Sequence, residues 1–301
     1  MIEMTMKPNP ALKKLGLSDS DRAVILHSDD VGMCQASVQA FIDLWESGGV
    51  SSGALMMPCP WAKTAAEYCR THPGVDMGVH ATLTAEWPTY RWRPLSTLDP
   101  ATGLMDQDGF LWRTSEDSQA HADPDAAMVE MKMQVRTAIQ WGVDVTHMDT
   151  HMGTVAHAKF ITSYLQTGFQ NHLALMIPRG DPALFQALGV EEASAREFAM
   201  VVGQLEEQGF PLLDNFSSMP LDQPEGQVEI AKKLLSALPP GITHFVFHPS
   251  VDTPELRHIT PDWPSRVANY HTFLDRQVRD FIRNAGIHII GYRDLKKLLP
   301  E

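Results

Sequence analysis

Cysteine is scarce in this sequence: Cys34, Cys59 and Cys69 are the only 3 among 301 residues. An odd trio with this spacing fits neither a zinc ribbon nor a disulfide framework, which excludes a small stapled secreted fold. Each is read as a small buried hydrophobe in a reducing compartment. Positive charge is also short, with 24 Lys and Arg against 37 Asp and Glu and a net charge of −13. That balance argues against nucleic acid or an anionic membrane as main partner, and a neutral or cationic small ligand fits better. Long apolar runs are missing as well. No window approaches the roughly 20 residues of a spanning helix, and MIEMTMKPNPALKKLG at the N-terminus has no uninterrupted apolar stretch. A cytoplasmic protein is expected; whether it forms a homo-oligomer is left open.

What is present is an alternation of strand-like and helix-like segments along the whole length, the pattern of βα units around a parallel sheet. Strands are predicted at 22–28, 52–57, 77–83, 145–152, 173–177, 212–216, 243–248 and 287–291. Seven or eight parallel strands in a chain of this length predict an α/β barrel, taken as a single domain over 1–301. Between them run helical stripes. Val38, Phe41, Ile42 and Trp45 precede Gly48-Gly49; a helix opens at Asp123-Pro124 and ends at Gly142; Val267, Tyr270, Leu274, Val278 and Phe281 read as one helix. One segment, 85–121, has little periodicity but much Pro, Gly and aromatic character, and loops of that length are usually functional or disordered.

The chemistry-bearing residues gather at predicted strand ends, where sites of barrels sit. The run Ala23-Val24-Ile25-Leu26-His27-Ser28-Asp29-Asp30-Val31-Gly32 leads an apolar strand into two adjacent carboxylates. Burying such charge without a cation is costly. Met77-Gly78-Val79-His80 brings one imidazole, and Thr146-His147-Met148-Asp149-Thr150-His151 brings another, with His147, Asp149 and His151 on one face at period two. Asp30, His80 and His151 thus make a three-point cage for a catalytic divalent ion with an open position. A backbone turn at Val31-Gly32 is expected to let Asp30 bind while Asp29 accepts a proton. His248, ending Phe245-Val246-Phe247, is placed to donate a proton, and Arg179 to clamp a carboxylate. Trp87, Tyr90 and Trp92 in the long segment offer faces for stacking on sugar rings, with packing onto the barrel as the alternative.

Taken in order, Ser28-Asp29-Asp30-Val31-Gly32, Gly78-Val79-His80-Ala81-Thr82-Leu83-Thr84, Thr146-His147-x-Asp149-x-His151, His248-Pro249 and Gly291-Tyr292-Arg293-Asp294-Leu295 resemble the YdjC-like carbohydrate deacetylases of the ChbG/HpnK type, relatives of the NodB-type polysaccharide deacetylases. The resemblance implies a distorted TIM-like (β/α) barrel. It also implies a hydrolase that removes acetyl groups from N-acetylated sugars, metal-bound water attacking the acetamide carbonyl. Asp30, His80 and His151 would be the ligands, Asp29 the base and His248 the acid. Zinc is favoured by two imidazoles and a carboxylate; magnesium, manganese or cobalt are alternatives. The sequence departs from the family pattern at Gly153 and Val155, where histidines are usual, at His27, where asparagine is, and at Asn269, where an acid is. A silent carbohydrate-binding barrel, a metal-dependent isomerase or lyase, and a scaffold with a structural metal are the competing readings.

Overall fold

The computed structural model describes residues 7–187 and 191–300, so residues 1–6 of the N-terminal stretch read above lie outside it. All eight predicted strands form: β1 (Arg22–Val31), β2 (Ser52–Leu55), β3 (Met77–Ala81), β4 (Val145–Thr150), β5 (Ala174–Leu175), β6 (Asn215–Ser218), β7 (Gly241–Phe247) and β8 (Ile287–Ile289). Every ladder is parallel, in the order β5-β4-β3-β2-β1-β7-β6. β8 pairs with Arg22–Val24 of β1, below the His27–Val31 stretch that pairs with β2. Just after edge strand β5 and just before edge strand β6, Pro178 and Leu213 form one parallel bridge, which brings the sheet round on itself. The architecture is a distorted (β/α) barrel.

β1 explains how polar groups reach the interior. Successive side chains alternate faces, so Val24 and Leu26 join the core shared with the helices, while Ala23 and Ile25 join a second cluster inside the barrel. That inner floor includes Ala174, Leu213, Ile242, Tyr292 and Leu295, plugged from below by Ala11 and Leu12 of the helix Pro10–Lys14. The inner row of β1 continues upward as His27 and Asp29. Above the apolar floor, His27, His147 and His244 pack against one another and against Tyr292, whose ring stacks on His147 at 3.8 Å. Gly78 makes room for this layer, since a Cβ there would meet the His147 ring at 2.5 Å.

The helix Gln35–Ser47 buries Val38, Phe41 and Leu44 at helical spacing and ends at left-handed Gly48 (φ 75°), as the sequence predicts. The stripe from Val267 to Phe281 instead forms two helices, Trp263–Leu274 and Arg276–Asn284. Asp275 separates them, its extended backbone ending the first while its carboxylate accepts from Gln277 N and caps the second. Segment 85–121 is not wholly irregular: it contains the short helix Ser115–His121 and is pinned to the barrel by a Thr84–Trp112 bridge.

Arg179 belongs to the barrel seam. It is buried, donating to Glu206 Oε1 at 2.5 Å, Asp214 Oδ1 at 2.6 Å and Lys7 O at 2.9 Å. Asp214 also receives Asn9 Nδ2 and Ile242 N, at the start of β7. His248 stands past the far end of that strand, about 20 Å on at roughly 3.3 Å per residue. Arg179 is therefore remote from the expected site, and the clamp assigned to it from sequence is corrected to a structural one. Arg179→Met should lower stability by roughly 1–3 kcal/mol, because it removes the charged donor that half-buried Asp214 and Glu206 share. Urea unfolding reads that loss, while divalent-ion stoichiometry of the folded variant should match the wild type.

Candidate functional site

Alternation along β1 would send Asp30 outward, away from Asp29. It does not, because Asp30 itself adopts φ 58° and the register with β2 breaks between Ser28 and Val31. The turn thus lies at Asp30, one residue earlier than the Val31-Gly32 turn the sequence suggests, and both carboxylates face the mouth. A left-handed non-glycine residue costs on the order of 1–2 kcal/mol, which neighbouring contacts must offset. One such contact is Arg266: its Nη1 donates to Asp30 Oδ2 at 2.6 Å while its Nε holds Asp262 at 2.8 Å.

The other oxygen, Asp30 Oδ1, is buried and has no hydrogen-bond partner among the described residues; nor has His80 Nε2. These two atoms face each other at 3.5 Å, and His151 Nδ1 lies 3.3 Å from Asp30 Oδ1. The far nitrogen of each imidazole is engaged by a carboxylate, His80 Nδ1 by Asp149 Oδ1 at 2.8 Å and His151 Nε2 by Glu86 Oε2 at 3.0 Å. Carboxylate–imidazole pairs of this kind orient metal-binding histidines and raise their donor strength. One carboxylate and two oriented imidazoles, with orphaned atoms turned to a common point within 4.8 Å, fit a divalent transition ion.

His27, Asp29, Asp149 and His244 also lie close enough to suggest an ion. There three of the four ring nitrogens are already engaged: His27 bonds Asp29 Oδ1 at 2.7 Å and His147 Nε2 at 2.9 Å, and His244 Nδ1 bonds the Tyr292 hydroxyl at 2.9 Å. This second set is a hydrogen-bonded layer beneath the first.

Electrostatics follow from burial and crowding. Burial opposes ionisation of Asp30, yet the Arg266 guanidinium beside it holds the carboxyl well below the usual range. Burial likewise resists charge on His80, but Asp149 and Asp29 outweigh it and hold its pKa well above the imidazole value. For His151, Glu86 and Asp30 overcome burial and carry the pKa from 6.5 up to about 9. Without an ion, both imidazoles keep protons where the cation would sit. The raised pKa of His151 contributes stability that is fully present below about pH 6.5 and is lost as pH rises through about 9. Chelated protein should therefore lose unfolding free energy between those limits, while ion-loaded protein, in which the cation replaces the protons, should not; urea titrations at pH 6.5 and 9 check this.

Asp29 Oδ2 lies 3.7 Å from His80 Nε2 and 3.8 Å from His248 Nε2. Burial would raise its pKa, but His80 and the bond from His27 keep it ionised. His248 is lowered, chiefly by burial, and its backbone N–H is fixed by Asn269 Oδ1 at 2.9 Å. The sequence-derived set Asp29, Asp30, His80, His151 and His248 is thus brought together. Trp87 and Trp92 are brought near but do not offer open faces. Both are buried; Trp92 donates to Thr84 O and packs against the His151 ring at 6.3 Å, and Trp87 lies under Arg266. Burying an indole of roughly 200 Å² stabilises the loop by up to about 5 kcal/mol, so these rings wall the site. Tyr90 is half-buried, with its hydroxyl on Met33 O at 2.6 Å. Glu86 and Arg266, which complete the centre, follow no spacing rule that would have singled them out. Gly153 (φ 69°) follows left-handed Met152 (φ 53°), so the chain turns sharply just after His151 at the position where a histidine was expected.

Barrel and mouth together define an α/β barrel of deacetylase type, with carboxylates and imidazoles converging at the strand ends. The sequence pattern of the YdjC-like protein family matches residues 23–284, and the chain belongs to that family. A carbohydrate deacetylase from Thermus thermophilus is 30% identical over 291 residues, covering 96% of this chain and 98% of that protein. One from Thermoanaerobacter pseudethanolicus is 24% identical, covering 91% and 99%. A crystal structure from Enterococcus faecalis, provisionally described as a cellobiose-phosphate cleavage protein, superposes with a TM-score of 0.75 at 18% identity. It covers 92% of this chain and 99% of its own, and supports the fold. Among the described residues no helix is long and apolar enough to cross a membrane.

Proposed function

We propose that this chain is a metal-dependent carbohydrate N-deacetylase, hydrolysing the acetamide of an N-acetylated sugar to acetate and a free amine. The observation that carries the reading is the pair of buried, unpartnered atoms Asp30 Oδ1 and His80 Nε2 turned toward each other beside Asp29. The names of the deacetylase relatives support the substrate class. Asp30, His80 and His151 would hold the ion, which when bound polarises a carbonyl and acidifies water; the ligand chemistry favours zinc, with magnesium, manganese or cobalt as alternatives.

The remaining work falls to side chains of the chain itself. Asp29, ionised and held by His27, accepts a proton from water at its free Oδ2. His248, held at low basicity, readily gives a proton to the departing amine once it has received one. The buried walls formed by Trp87 and Trp92 exclude solvent, and the exposed part of Tyr90 is the aromatic surface left for a sugar ring.

A screen of N-acetylated mono- and oligosaccharides for acetate, with added zinc, magnesium, manganese or cobalt against a chelated control, tests the proposal. Acetate released only with metal is the expected result. Saccharide binding without acetate at every metal concentration would favour a silent sugar-binding barrel and overturn it.

A further inference from the structure

On β6 the usual order of burial is inverted. Phe216 and Ser218 are exposed, while Asn215 and Ser217 are half-buried. Residues paired across a ladder project to the same face, and Phe216 pairs with His244, Ser218 with Val246. His244 packs on His27 inside the barrel, and Val246 pairs with His27, so both face the lumen. The Phe216 ring meets the His244 ring edge to face at 5.8 Å, which places it in the lumen too. The exposed row of β6 is therefore the inward one.

The barrel seam explains how solvent reaches it. β5 has only the residues Ala174–Leu175, and the chain just past it meets the chain just before β6 at the single Pro178–Leu213 bridge. From that bridge toward the mouth no ladder among the described residues closes the wall in front of Phe216. Only two aromatic rings among the described residues are exposed, Phe169 at 37% and Phe216 at 45%. Phe169 lies on the helix Ile161–Gln170 beside Phe210, and a single apolar group on the outside of a protein calls for no explanation. Phe216 faces inward and joins neither apolar cluster, so it adds little to folding. Its neighbour His244 has a ring nitrogen within 4.8 Å of an Asp29 carboxylate oxygen. One imidazole thus separates the ring from the proposed base, and the inward row climbs from Phe216 past Ser218 and Val246 to His248.

We infer that Phe216 is a substrate-binding platform: its face carries the pyranose ring whose acetamide reacts, with Ser218 beside it to bond a sugar hydroxyl. A pyranose presents an apolar face of C–H groups that stacks on a phenyl ring, and the acetamide leaves from its edge, so a sugar laid on Phe216 can extend that group up the row toward Asp29. Tyr90, tied down by its hydroxyl, offers only part of its ring from the loop. The inference rests on the deacetylase reading for the identity of the reacting group, but the stacking can be observed without turnover.

The probe is N-acetylglucosamine, followed by ¹H NMR with zinc-loaded protein in the Asp29→Asn background, where turnover does not consume it. Stacking on a phenyl face moves the ring C–H signals of the sugar upfield, more than its acetyl methyl signal. That shift should be present with Phe216, absent in Phe216→Ala and Phe216→Leu, and restored in Phe216→Trp; leucine keeps apolar bulk without a ring. Phe169→Ala should leave it unchanged. With Asp29 intact, Phe216→Ala should raise KM for acetate release roughly 5- to 10-fold, the scale of one aromatic contact, with kcat, zinc stoichiometry and the urea midpoint close to wild type. Absence of the upfield shift with Phe216 in place, or its persistence in Phe216→Ala, overturns the inference. A Phe216-dependent shift without acetate release at any metal concentration upholds the platform and removes the deacetylase reading. Acetate release with a KM unmoved by Phe216→Ala does the reverse.

Discussion

Asp29→Asn should retain one divalent ion per chain and lose at least about a thousandfold in acetate release, near the upper range for a general base. The variant keeps all three residues around the ion seat and preserves an oxygen to accept from His27 Nδ1, so the local packing survives. What disappears is the proton-accepting carboxylate oxygen that faces His80 and His248. Because the change removes an interaction made only during reaction, kcat should fall with little change in KM. Metal analysis alongside initial rates checks both halves; acetate release near the wild-type rate would remove Asp29 from the base role.

Asp30→Ala should abolish both ion binding and activity, and it should also cost more stability than loss of a cavity-lining side chain. Arg266 is buried, and its Nη1 bond to Asp30 Oδ2 is one of two ion pairs that hold it. Removing Asp30 leaves a buried guanidinium short of a partner, a change that typically costs about 3–5 kcal/mol. Adding Arg266→Met should restore much of that stability without restoring the ion, since the orphaned charge goes but the ligand stays missing. Urea unfolding and metal analysis on the two singles and the double separate these effects. Stoichiometric ion binding by Asp30→Ala would remove Asp30 from the centre.

The contrast between Asp30 and Arg179 shows what a linear reading of this chain captures. The carboxylate or imidazole at each strand end, with a backbone turn expected beside Asp30, was enough to anticipate the convergence of Asp30, His80 and His151, because parallel strands of a barrel deliver their C-terminal ends to one mouth. Arg179 also follows a strand, but its long side chain turns to the seam and is drawn to Asp214 and Glu206, partners that periodicity cannot reveal. Asp30 hid a second detail: period two alone puts it on the wrong face, and only its own left-handed backbone returns it to the mouth. Aromatics in the long loop read equally well as platforms or as walls. Burial resolves Trp87 and Trp92 in favour of walls. Glu86 and Arg266 reach the site from a loop and a later helix through tertiary contacts of high sequence separation, so no local pattern marks them.

The account stands on a single ion held by Asp30, His80 and His151. Anomalous diffraction on either side of the zinc absorption edge, from crystals grown with zinc, measures that directly. One peak about 2.0–2.2 Å from Asp30 Oδ1, His80 Nε2 and His151 Nδ1 is the result expected. A peak among His27, Asp29, Asp149 and His244, or none in this barrel at saturating zinc, would contradict it.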